Sequence, residues 1–296
     1  MHKSIRKMAG LTILLVLIIS LVCSCTPRTG LQTGHGNGKV ALVLGGGAAR
    51  GFAHIGVLKI LEQNKIPVDI VLGTSAGSFV GSLYAYGFNA YQIQKIGLEL
   101  ERGDIIDISI PDNGFIKGEL LENYVNRMLR NTPMEKLRIP FYAIATDIQN
   151  GKEMVFGVGN TGKAVRASCA IPGVFNPVLI GDRMYVDGSV VSPAAVDAAR
   201  ANGADIVIAV DISSDLGSEK PAGTVETILQ AIDIMSSKIS AAQLSRADVV
   251  IRPLVGHIGS TDFTKRHEAI LEGEKAAVQA LPKIREILSR ARPDWK

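Results

Sequence analysis

The sequence predicts an α/β fold around a mainly parallel sheet, and three stretches carry that expectation. Lys39–Leu44 is a short strand-length run, apolar from Val40 onward, that passes directly into Gly45-Gly46-Gly47-Ala48-Ala49-Arg50-Gly51. Phe52–Asn64 then places Ile55, Leu58, Ile60 and Leu61 at helical spacing. Val68–Leu72, behind Pro67, is a second β-branched run, and it ends in Gly73-Thr74-Ser75-Ala76-Gly77 ahead of a small-residue helix at Ser78–Tyr86. Strand, loop, helix and strand in that order open a parallel sheet, because parallel neighbours need a crossover between them.

The later elements follow the same grammar. Asn89–Leu100 and Gly118–Arg130 read as helices, and Ile139–Thr146 as a strand ending at Asp147, with Met154–Phe156 beside it. Lys163–Ala170 is a short helix stopped by Pro172. Pro177–Ile180 and Met184–Val186 flank Gly181-Asp182, a hairpin-like turn, and Asp187-Gly188 follows at once. Ala194–Ala201 is helical, Asp205–Val210 a buried strand, Val225–Leu244 a long helix and Val249–Ile251 a last short strand. From Phe263 on, Ile270, Ala277, Leu281, Ile284 and Leu288 mark an amphipathic helix, expected to break or restart at Pro282. No internal repeat and no second composition regime follows Lys39, so residues 39–296 are expected to form one domain.

The N-terminus differs. His2, Lys3, Arg6 and Lys7 form a basic head, and an uncharged run follows from Met8 to Pro27 with its apolar heart at Met8–Val22. This is the pattern of a secretory leader over residues 1–24, short for a membrane span. Val22-Cys23-Ser24-Cys25 resembles the lipobox of bacterial lipoproteins, so Cys25 is expected to become a lipidated N-terminus, with residues 25–38, rich in glycine, as a flexible tether. Such a protein would be lipid-anchored in the cell envelope, at the outer membrane where two membranes are present. Three basic residues leave with the leader and no acid does, taking the formal net charge from +4 to +1. No electrostatic case remains for nucleic acid. Apart from Cys23 and Cys25 the only cysteine is Cys169, which reads as a small buried hydrophobe and excludes a cysteine metal cluster.

The chemistry gathers at two loops. In Gly73-Thr74-Ser75-Ala76-Gly77 a strand turns sharply into a helix, which needs small residues on either side of the turn and presents Ser75 above a helix N-terminus. The Gly45–Gly51 loop has two readings. As a dinucleotide fingerprint it would hold a pyrophosphate, but Ala48 breaks the spacing to Gly51 and no acid ends the second strand. As an oxyanion hole it offers backbone amides beside the serine turn, each worth about 3–4 kcal/mol to a developing oxyanion. The carboxyl ends of parallel strands share one edge, so the two loops converge there. Asp187, at a strand end before Gly188, is a candidate base: an ordinary carboxylate is too weak, but burial raises its pKa. The order Ser75, Asp187, His257 also permits a triad. His54 reads as a packing or capping side chain, His35 belongs to the tether, and His267 to the exposed start of the last helix. A non-catalytic lipoprotein that holds an acyl chain or a partner is a third possibility. Arg127, Arg130, Lys136 and Arg138 read as a solvated face able to meet anionic headgroups.

Four motifs in order resemble the patatin-like phospholipases: Gly45–Gly51 with Ala53-His54-Ile55-Gly56-Val57-Leu58, then Gly73–Gly77, then Arg166–Pro172 with Phe175-Asn176-Pro177, then Asp187-Gly188. The resemblance spans Val40 to about Val210. It implies a three-layer α/β/α fold and hydrolysis of lipid esters by a Ser–Asp dyad, with Ser75 as nucleophile and Asp187 as base. It also implies Gly46, Gly47 and Ala48 as the oxyanion loop, Arg50, Gly73, Gly77 and Gly188 as supporting residues, and no metal or cofactor in catalysis. Ala48 stands where the family commonly has glycine, and Ser189 where glycine or alanine is usual.

Overall fold

The structure is a computed structural model that describes residues 38–108, 114–215 and 221–292. The expected leader, Cys25 and the tether as far as residue 37, His35 included, lie outside the described residues. Strand β1 (Val40–Leu44) is buried throughout because it is central, with β2 (Ile70–Thr74) on one side and β7 (Ile206–Val210) on the other, both parallel to it. Strands covered on both faces read as continuous apolar runs, which is why these three stand out in the sequence. β2 pairs in parallel with β3 (Phe141–Asp147), and β7 with β8 (Val249–Ile251). The parallel run is therefore β8-β7-β1-β2-β3.

The remaining strands are antiparallel. β4 (Lys152–Phe156) returns along β3, from Ala143 opposite Phe156 to Asp147 opposite Lys152. β6 (Arg183–Asp187) also pairs with β3, from Ala145 opposite Asp187 to Asp147 opposite Tyr185. Since β4 covers one edge of β3 here, β6 must take the other, the same edge that β2 occupies from Phe141 to Ile144. β2 and β6 thus lie end to end along β3 with their carboxyl ends facing. β5 (Val178–Ile180) joins β6 through the Gly181-Asp182 turn.

Alternation along β1 sends Val40, Leu42 and Leu44 to one face and Ala41 and Val43 to the other. The first face is covered by α1 (Phe52–Gln63), α2 (Ala76–Tyr86), α3 (Ala90–Glu99), α4 (Glu119–Met128), α5 (Thr161–Ser168) and α8 (Arg266–Ala291). The second carries α6 (Val196–Ala201) and the end of α7 (Thr224–Leu244), packed through alanines and Leu244. This is the three-layer α/β/α arrangement. The start of α3 is fixed by a capping box in which Asn89 and Gln92 exchange side-chain bonds with each other's amides.

One expectation needs correction. Helix α8 runs unbroken through Pro282. The carbonyl that loses its donor belongs to Val278, which is 53% exposed, so solvent substitutes for the missing bond and the helix has no reason to stop. Among the described residues no helix is long and apolar enough to cross a membrane.

Candidate active site

The turn after β2 is built around Ser75, whose φ of 53° and ψ of −124° lie outside the comfortable regions for a non-glycine residue. Such strain persists only where surroundings over-determine it. Here a Cβ on Gly73 would strike the Gly77 carbonyl, and one on Gly77 would strike the carbonyl of Leu44 on β1. The two glycines of the motif therefore let α2 press against the sheet. The Ser75 amide donates to Ser168 Oγ at 2.9 Å, and that hydroxyl donates to the Ile144 carbonyl of β3 at 2.5 Å. Thr74 Oγ1 donates to the Ser192 carbonyl at 2.9 Å. Ser168 went unread as a site residue because only its position across the sheet gives the hydroxyl this task.

Asp187 arrives from the opposite direction, at the end of β6. Its amide donates to the Ala170 carbonyl at 2.9 Å, and its own carbonyl accepts from Thr146 Oγ1 at 2.9 Å. Gly188 follows because a Cβ there would meet the Ile144 carbonyl. The end-to-end placement of β2 and β6 brings Asp187 and Ser75 to the same cleft, where the Ser75 hydroxyl is near enough to favour the charged form of the carboxylate. Asp187 is 2% exposed, and burial pushes its pKa up to about 6 despite the Ser189 amide, which donates to it at 2.8 Å, and the opposing influence of the Ser75 and Ser189 hydroxyls. Ser189, the departure from the family pattern, binds the carboxylate through its amide, and its hydroxyl favours the charged form.

The glycine loop closes the third side. Gly45 and Gly46 spend their amides on the carbonyls of Val210 at 3.1 Å and Pro193 at 3.2 Å. Of the three residues expected to form the oxyanion loop, Gly46 thus has its amide engaged. No group among the described residues accepts from the amides of Gly47 and Ala48. Ala48 has φ +49°, the left-handed conformation that glycine adopts without strain.

Arg50 locks this loop from behind, 1% exposed, donating to the carbonyls of Ile212 and Ile258, to Ser260 Oγ and, at 2.8 Å, to Asp233 on α7. His54 locks it from the helix side. It is fully buried, its Nε2 lies 2.9 Å from the Gly45 carbonyl, and desolvation lowers its pKa to about 4. The ring is therefore neutral and donates through Nε2.

Two clefts of opposite character meet at Ser75. The first, about 40 Å³, is polar and contains the glycine loop, Asp187 and hydroxyls such as Ser189, Ser213 and Ser236. The second, about 280 Å³, is walled by aliphatic and aromatic side chains of α1, α2, α3 and the segments around Ile105, Ile116 and Phe175. Cys169 borders the apolar cleft with its sulfur 3.7 Å from Ser78 Oγ, and burial and the nearby Asp187 charge raise its thiol pKa, keeping it protonated. His257 stands elsewhere: its Nε2 is 2.7 Å from Glu268 Oε1, its side chain is 55% exposed, and it lines neither cleft. Arg127, Arg130, Lys136 and Arg138 lie on the exposed surface. No group of three or more histidine, cysteine or acidic residues among the described residues is placed to hold a metal ion.

Comparison with known proteins adds a family to this geometry. The model of the family described as patatin-like phospholipase matches residues 42–200. Patatin-like phospholipase domain-containing protein 6 of Mus musculus is 35% identical over 183 residues, covering 59% of this chain and 14% of that protein. Lysophospholipase NTE1 of Pyricularia oryzae is 28% identical over 281 residues, covering 83% and 19%. An uncharacterized NTE family protein of Mycobacterium tuberculosis is 29% identical over 277 residues, covering 83% and 47%. The chain thus spans less than half the length of these relatives. Among solved structures, VipD from Legionella pneumophila superimposes with a TM-score of 0.55 at 13% identity, covering 83% of this chain and 67% of that one, a likeness of fold.

Proposed function

The chain belongs to the patatin-like phospholipase family, and we propose that it is a lipid ester hydrolase of phospholipase A or lysophospholipase type working through a Ser75–Asp187 dyad. One observation carries the reading: Ser75 and the buried Asp187 line one cleft with Gly47 and Ala48, whose amides have no acceptor among the described residues, at the junction of a polar and an apolar cleft. The acyl chain of the substrate enters the apolar cleft and the ester oxygens lie against the glycine loop. As Ser75 Oγ bonds to the carbonyl carbon, its proton passes to Asp187 and the amides of Gly47 and Ala48 take the oxyanion. Collapse breaks the bond to the leaving alcohol, which receives that proton. Water then attacks the acyl-enzyme, gives its proton to Asp187, and Ser75 is regenerated with release of the fatty acid. A carboxylate with pKa near 6 is largely ionised at neutral pH yet far more basic than an ordinary one. The lysophospholipase among the relatives supports a lipid ester as substrate.

A serine-directed phosphonate is the direct test. It should label Ser75 in the native chain and fail with Ser75→Ala, while His257→Ala should keep hydrolysis within a few-fold. A folded His257→Ala protein as inactive as Ser75→Ala would replace the dyad with a triad. Retained function in Ser75→Ala would instead favour the non-catalytic binding role.

We also propose that Cys25 is lipidated and holds the protein in the bacterial cell envelope, at an outer membrane where one exists. The motive is the Val22-Cys23-Ser24-Cys25 box behind an apolar leader. Mass spectrometry of the mature N-terminus decides it, and an unmodified peptide beginning elsewhere would reject it.

A further inference from the structure

The apolar cavity beside Ser75 has a definite size, and on the hydrolase reading above that size restricts the substrate. With the ester carbonyl at Ser75, the acyl chain finds about 280 Å³ of apolar space in this partly open cleft. A dry apolar cavity of about 150 Å³ takes one benzene, so on that scale this one holds on the order of ten to twelve carbons. Its inner wall is made by Ile55 of α1, Val80 and Leu83 of α2, Ile93 of α3 and Leu100 just beyond α3, each 5% exposed or less. Such walls are packed to crystal-like density and do not yield to extra methylenes without displacing side chains or backbone. The half-buried Ile105, Ile116, Val225 and Leu229 complete the lining. The other cleft at Ser75 is polar and about 40 Å³, room for a few water-sized groups and not for a second chain.

We propose that the protein selects esters whose reacting acyl group has about ten to twelve carbons, and that Ile93 and Gly97 on α3 set this limit. Ile93 is 1% exposed and lines the cavity. Gly97 is the point of close approach between α3 and α1. A Cβ there would lie 3.0 Å from Ile55 Cδ1 and 3.3 Å from Phe52 Cε1, and both of those residues line the cavity. Enlarging residue 97 therefore pushes existing wall into the space the chain needs, whereas truncating Ile93 deepens it. Each methylene that fits should raise kcat/KM about three- to fourfold until the wall is reached, after which the gain stops.

The full chain is assayed with p-nitrophenyl esters from butyrate to hexadecanoate below their micellar concentrations. The expected kcat/KM climbs to decanoate or dodecanoate and is about tenfold lower at hexadecanoate. Ile93→Ala should move the optimum two or more carbons longer, and Gly97→Val should lower the dodecanoate-to-butyrate ratio about tenfold. A native optimum at hexadecanoate, or a profile that neither folded variant moves, overturns the limit and leaves the hydrolase reading standing. Absence of any Ser75-dependent ester hydrolysis sinks the hydrolase reading and this inference with it. Calorimetry on Ser75→Ala gives an answer that does not depend on the wall variants folding. Dodecanoate should bind more tightly than hexadecanoate, and the reverse order rejects the proposal.

Discussion

The two halves of the sheet contribute to one site by different routes. In the parallel half, β1 and β2 end at the same edge, so the loop after each is delivered to a common place by topology alone. That half supplies the glycine loop and the strained serine. The antiparallel half has no such rule. β6 reaches Ser75 only because it shares an edge of β3 with β2 and runs against it, so that Asp187 opposite Ala145 falls next to Thr74 opposite Ile144. The comparison teaches that the proposed nucleophile and oxyanion donors are a local property of one supersecondary unit, whereas the proposed base is a long-range property of strand pairing.

The sharpest way to break the comparison is to remove one member from each half. Ser75→Ala and Asp187→Asn are each expected to lower ester turnover by about 10⁴-fold or more, and the double variant should be scarcely worse, since groups acting as one unit fail together. Stability should separate them. The pKa of Asp187 is about 6 when folded against an ordinary 3.8, so its buried charge opposes folding above pH 6 and this cost is relieved as pH falls toward 4. Asp187→Asn should therefore melt several degrees above the native protein at pH 7.5, a gain on the order of 2–3 kcal/mol. Calorimetry that finds the variant less stable would contradict the burial argument.

The next effect belongs to the parallel half alone. A Cβ on Gly47 would sit 2.7 Å from Ile212 Cδ1 and 2.9 Å from the Ile212 carbonyl, so Gly47→Ala must shift the loop and its amide. Turnover should fall about 10²-fold with KM changed only a few-fold. A folded, fully active Gly47→Ala protein would show that the oxyanion is held elsewhere.

Smaller still is the pH response of the antiparallel half. Asp187 must be ionised to act, so kcat/KM should fall about tenfold per pH unit below about 6. Ser189→Ala removes a hydroxyl that favours the ionised form, and the acid limb should move to higher pH. An unmoved limb would mean that the hydroxyl does not tune the base. Least of all, Ala48→Gly should relieve the left-handed backbone at φ +49° and raise stability by about 0.5–1 kcal/mol, with activity kept, as thermal melts and a rate assay would show.

By itself the sequence determined the parallel core, the two glycine-flanked turns and the place of Ser75 at the tip of one of them, because strand, turn and helix preferences act over neighbouring residues. Val40–Leu44 and Ile206–Val210 are apolar throughout since both faces are covered, and Gly73 and Gly77 are glycine since a Cβ at either would hit backbone. Asp187-Gly188 was legible as a turn after a strand and as a candidate base if buried, while its pairing with Ser75 came through resemblance. What the tertiary structure alone decided is which groups are free and which are spent. Gly46 gives its amide to Pro193, His54 holds the Gly45 carbonyl, Ser168 bridges Ser75 to β3, and Arg50 is tied to Asp233, 183 residues along the chain. Pro282 sits inside a helix because its turn faces water. A hydrogen-bond partner or an exposed face is a relation between segments distant in sequence, and pairing, burial and desolvation come into being only when those segments pack.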